Sequence, residues 1–331
     1  MFNETVLSNG AALFKGTALW GSCRGNDSVA QVTEPSPQEI REYCRAWSQR
    51  AASQYRAERA GGGVQRPHQG SPLATICDDL ETADHAQLSA VVAGMTVCLV
   101  RPGGPFAGYG RDYRLLWAWC AEILVGSGNA GWGHREPTLV SLFAVASRAA
   151  LAVQVPSNIH GVDRHARALV DSQGSVLTYL AFPLLEQVLR SSCSRHFGGD
   201  GRITHAFETP GQLTRRHLYT VGGTCSSIGD LLWLYRQHYA STEIGANLDS
   251  IDAHIAATIP GAELGFRVIH QWRNETMYGT AVLPIIGAAV FSIAVLMGLA
   301  GRESDFRPAV TQALKSASGV DRVADFYPIE G

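Results

Sequence analysis

The chain has 331 residues, 46% hydrophobic and 17% charged, which excludes a disordered chain and supplies apolar material for a core. A net charge of −2 excludes a general pull toward nucleic acid or an acidic membrane surface, so either partner would have to meet a local patch. Seven cysteines (23, 44, 77, 98, 120, 193 and 225) are odd in number and never spaced C-x-x-C, which points to a reducing compartment, read as the cytoplasm.

The opening twenty residues lack a basic stretch followed by an unbroken apolar core, so no secretory signal is expected. The first structural signal is Ser36-Pro37-Gln38-Glu39. It combines a serine N-cap, a proline at the first helical position and a glutamate that completes a capping box. Ile40, Tyr43, Cys44 and Trp47 follow at helical spacing. Gly61-Gly62-Gly63 and the Gly/Gln/Pro-rich stretch to Pro72 then read as a flexible linker.

Helices are expected over about 84–100, over 112–125 ending at Gly126, and from Pro137 to about 153. A new group starts near Val162. The run Val176 to Cys193 presents Leu177, Leu180, Leu184, Leu185, Val188 and Leu189 as its apolar surface, with Glu186 and Arg190 four apart on one face. A glycine-rich basic loop spans 198–223. Further helices carry Ile228, Leu231, Leu232 and Tyr235, then Leu248, Ile251 and Ile255 before Pro260-Gly261, then Leu264, Phe266, Val268, Ile269 and Trp272. Strand alternation is nearly absent, there is no internal repeat, and the chain reads as all-α.

The run Ala281 to Ala300 is uncharged and meets the length of a membrane span. Pro284 suits a helix start, the run is rich in alanine and glycine, and the flanking Arg302, Glu303 and Asp305 show no one-sided positive charge. A central helix buried on all sides is therefore the favoured reading, with a membrane anchor as the alternative.

Of the 27 basic residues all but Lys15 and Lys315 are arginines, which a coding preference explains better than selection for phosphate contacts. Neither a metal nor a cofactor is expected. Cys193 and His196 form one Cys/His pair with no second at matching spacing, and the glycine loops 102–110 and 126–133 lack the Gly-Lys-Ser/Thr ending of a P-loop. His134 and His270 read as surface or satisfied core residues.

Two motifs stand in order in the C-terminal half. The first is Leu185-Glu186-Gln187-Val188-Leu189-Arg190. The second is Arg273-Asn274-Glu275-Thr276-Met277-Tyr278-Gly279, directly before the apolar run. This order resembles the HEPN superfamily (higher eukaryotes and prokaryotes nucleotide-binding), whose motif is Arg-Asn-x-x-x-His-Gly, and it covers roughly residues 160–301. The resemblance implies a four- or five-helix bundle, an RNA-directed protein of defence or toxin type, and a homodimer bringing two sites together. It implies metal-independent cleavage giving a 2′,3′-cyclic phosphate, with Arg273, Asn274 and Tyr278 as catalytic residues and Gly279 matching the motif's glycine. Tyr278 stands where the family has histidine. A phenol with an ordinary pKa near ~10 is a poor proton acceptor at neutral pH, so a non-catalytic nucleotide-, RNA- or protein-binding module is the alternative.

Glu186 and Arg190 have two readings: completion of a polar centre with Arg273 inside the bundle, or an exposed helical pair. Arg202, Arg215 and Arg216 of the basic loop are candidate RNA contacts. The expected division is an N-terminal segment with one helix and linker (1–74), a helical region (75–155), the HEPN-like bundle (156–301) and a C-terminal tail (302–331). The N-terminal region is a candidate surface for a protein partner.

Overall fold

The first long helix of this chain is fixed by its cap as well as by apolar spacing. The computed structural model describes residues 34–61, 72–77, 79–100, 110–126, 137–153, 164–210, 216–279, 284–319 and 324–327. Ser36 and Glu39 form the capping box read in the sequence: Ser36 N–H donates to Glu39 Oε2 (2.8 Å), and Glu39 N–H to Ser36 Oγ (3.3 Å). The helix they open, α1 (Pro37–Gly61), is followed by the short α2 (Pro72–Ile76) and by α3 (His85–Leu99). Asp84 and Gln87 make a second capping box at the start of α3. The linker expected between Gly61 and Pro72 lies almost wholly outside the described residues.

Next come α4 (Gly110–Val125), α5 (Pro137–Val153) and α6 (Arg164–Ser192). The last is one continuous helix despite Pro183 inside it. Beyond it stand a two-stranded hairpin, β1 (Phe207–Pro210) and β2 (Arg216–Tyr219), and then α7 (Ile228–His238), α8 (Thr242–Thr258), α9 (Gly265–Met277), α10 (Pro284–Ala300) and α11 (Phe306–Ala317). The chain is all-α with one small sheet. The hairpin differs from the loop expected over 198–223: its strands pair antiparallel, with Phe207 opposite Tyr219 and Pro210 opposite Arg216. Helix α11 differs from the tail expected after 302.

The core is built around α10, whose every residue from Ile286 to Leu299 is buried. It packs most extensively on α6 and also on α3, α4 and α5. Trp117 of α4 donates its indole N–H to Ser292 Oγ (2.9 Å), and Phe291 meets the Trp117 and Phe143 rings at 5.5 and 5.8 Å. His85 bonds Leu299 O at the far end of α10 (2.9 Å). The run that meets the length of a membrane span is thus a core helix, and no helix among the described residues is long and apolar enough to cross a membrane.

Helix α3 is as deeply buried and lies against α1, α8 and α10. Arg41 of α1 reaches Glu243 (3.1 Å) and Asn247 (2.8 Å) on α8. Residues Pro35–Gly331 accordingly form one compact unit, and the divisions at 74, 155 and 301 fall inside it. The six cysteines among the described residues are free.

Candidate functional site

Helix α9 carries the Arg273–Gly279 motif, and its place is fixed by two backbone approaches. A Cβ on Gly265 would lie 2.3 Å from the Asp252 carbonyl oxygen of α8, and one on Gly229 of α7 would lie 2.4 Å from the Phe266 carbonyl oxygen. Asp252 Oδ1 also accepts the Phe266 N–H at 2.7 Å, capping the open start of α9. Gly265→Ala should therefore push α9 off α8 at a cost of about 1–3 kcal/mol. Chemical denaturation would measure it, and a neutral effect would mean the two helices separate freely.

From this seat one face of α9 lines a cleft of about 1020 Å³, with Arg267, His270, Asn274 and Tyr278 along it. Pro210, His217 and Tyr219 of the hairpin line it too, as do Ser227 and Asp230 at the start of α7. Arg267 ties α9 to the hairpin by donating to Pro210 O at 2.7 Å. The Tyr219 hydroxyl donates to Asp230 Oδ2 at 2.7 Å, and burial together with that carboxylate raises the phenol well above its ordinary range.

His270, read from the sequence as a surface or satisfied core residue, is neither. Its Nδ1 is buried with no hydrogen-bond partner, while Nε2 takes the Asn274 side-chain amide at 3.3 Å. In that arrangement the imidazole lone pair is on Nε2. Burial and the Arg273 charge lower its pKa, against smaller upward pulls from Asp230 and Glu186, so the ring is neutral at neutral pH. Sequence offered one signal for it, the i,i+4 spacing to Asn274.

Glu186 joins both of the pairings read for it. Its Oε1 accepts from Arg190 Nε and Nη2 at 3.1 and 3.0 Å, and its Oε2 lies 3.5 Å from Arg273 Nη2. Arg190 also donates to Cys225 O and stands 5.5 Å over the Phe197 ring. Two guanidiniums share one carboxylate, so the cluster keeps one surplus positive charge beside the cleft. Arg273 itself points toward Glu186, with Nη1 3.5 Å from Asn274 Oδ1.

Tyr278 ends α9 and is 82% exposed at the cleft mouth. Gly279 adopts φ +70°, the left-handed turn that closes a helix and favours glycine, so its role in the motif is structural. Arg202 and Arg216 are exposed and paired locally, with Asp200 (3.7 Å) and Glu208 (3.0 Å). Arg215 lies outside the described residues, as does His134. The cleft is also lined by Glu263 and Glu275, so among the described residues three carboxylates, with Asp230, face it against the one guanidinium of Arg267.

No protein-family model, curated protein or solved structure matches the chain.

Proposed function

We propose that the chain is an HEPN-like, RNA-directed protein of defence or toxin type, a metal-independent endoribonuclease working as a homodimer through the α9 cleft. One observation carries this reading: a neutral imidazole, His270, stands one helical turn before Arg273 and opens onto the cleft. The proton acceptor missing at Tyr278 is supplied from the opposite side of the arginine. Five helices, α6 to α10, fall within the resemblance, and Glu186 on α6 joins the two motifs.

In the proposed reaction His270 Nε2 takes the proton of the RNA 2′-hydroxyl in place of the Asn274 amide. The freed oxygen bonds to the adjacent phosphorus as the bond to the 5′-oxygen breaks, giving a 2′,3′-cyclic phosphate and a 5′-hydroxyl once that oxygen gains a proton. In this reaction Arg273 turns from Glu186, which keeps Arg190 as its partner, to stabilise the phosphorane, and Tyr278 offers a ring face for a base at the cleft mouth.

A second reading, a non-catalytic HEPN-like binding module, is favoured by the hold of Glu186 on Arg273 and by the carboxylates in the cleft. RNA cleavage in EDTA separates the two. The enzyme reading expects Arg273→Ala to slow cleavage by about 10²–10³-fold while leaving the fold intact. RNA binding that depends on Arg273 without cleavage supports the module. If Arg273→Ala alters neither, this cleft is not the RNA site.

A further inference from the structure

Behind the hairpin wall of the cleft three imidazoles meet. The His196 ring, just after α6, lies 5.2 Å from that of His238 at the end of α7 and 6.0 Å from that of His205, ahead of β1. Its edge meets Phe207 of β1 at 5.7 Å and 89°. Phe207 stacks on Tyr219 of β2 at 4.7 Å and 21°, and Tyr219 is the residue whose hydroxyl holds Asp230 in the cleft. A run of touching rings thus leads from the histidines to the cleft.

The surroundings of His196 are short of negative charge. Its own segment brings the buried Cys193 thiol and Arg195, the loop before β1 brings His205, and α7 brings His238 and Tyr239, whose hydroxyl is 2.5 Å from His196 Nδ1. Glu208, beside Phe207 on β1, turns instead to Arg216. Among the described residues the charges that act on His196 are the other two imidazoles, with no carboxylate to offset them. Nor is any group of three such side chains among the described residues placed to hold a metal ion.

We propose that His196, with His205 and His238 packed against it, forms a proton-operated joint, which in mild acid loosens the loop and hairpin forming one wall of the cleft and at neutral pH closes them. Burial first, then His238 and His205, hold His196 below its ordinary pKa. The closed form therefore binds fewer protons than the open one. Its stability is complete above the ordinary histidine range and is lost as pH falls through that range toward the lower closed-state value. The element that opens is fastened by three backbone bonds: Thr204 N–H to His196 O (2.9 Å), Ile203 N–H to Gly223 O (2.9 Å) and Gly222 N–H to Ile203 O (2.8 Å). The joint stands on its own geometry, and only its effect on ligand access rests on the RNA reading above.

Hydrogen exchange at those three amides in the full-length protein, from about pH 7.5 to about pH 5.5, tests it. Protection corrected for intrinsic rate should fall by up to about tenfold per pH unit for each proton taken up on opening. His205 and His238 are both exposed, so the double variant His205→Gln/His238→Gln tests the cluster without touching the core. It should make the acid loss smaller without abolishing it, because burial of His196 remains the larger cause, while α10 amides stay as in the wild type. An equal loss in the double variant, or no loss in the wild type, overturns the joint. Arg273-dependent RNA binding, measured in parallel, reports on the cleft alone, so failure of one reading leaves the other standing.

Discussion

Replacing Phe291 with alanine should lower the free energy of unfolding by about 3–5 kcal/mol, the range for deleting a fully buried phenyl group. Phe291 is at the middle of α10 with no exposed surface, between Trp117 of α4 and Phe143 of α5. Three helices lose a shared contact at once, and the close fit around them leaves little freedom to fill the cavity. Chemical denaturation would read the loss as a lower midpoint at constant slope. A change below about 1 kcal/mol would mean that α10 is not the centre of the core.

On the ribonuclease reading proposed above, replacing His270 with glutamine should slow RNA cleavage by about 10²–10⁴-fold, the range for removing a positioned general base. Glutamine keeps a polar group near Asn274 but takes up no proton at neutral pH. Tyr278→Phe should leave the rate within about threefold, since the proposed base is His270 and phenylalanine keeps the ring face at the cleft mouth. The pH profile gives an independent check. Activity should rise as pH climbs through a value below the ordinary histidine range, because the base works deprotonated and folding lowers its pKa. A large Tyr278→Phe effect with an unaffected His270→Gln variant would move the base back to the phenol.

The helical class was legible because periodic apolar positions and caps are local. Ser36–Glu39 announced α1 without any tertiary information, and Pro284 with the alanines and glycines after it separated a core helix from a span. The hairpin was not legible, since four-residue strands give too few alternations and Phe207 finds Tyr219 only by pairing across the turn. Helix α11 was missed because its buried face is largely alanine, with Ala309 and Ala313 behind Phe306. At the site, the motif lies on a helix that lines a cleft, but not all of its side chains face that cleft. Asn274 and Tyr278 line the cleft, while Arg273 turns to Glu186. A lone histidine looks alike in sequence whether satisfied or not. Burial and the loss of a partner at Nδ1 exist only once α7, α9 and the hairpin have met.

The position of α10 in the chain also governs how the protein is made. Its partners α3, α4 and α6 leave the ribosome long before it does, and contacts such as Trp117–Ser292 and His85–Leu299 join residues 175 and 214 positions apart. Until α10 arrives, those helices lack the partner that buries their apolar faces, and the loops to be closed are long. Folding should therefore be slow, with nascent chains that end before residue 284 prone to aggregate.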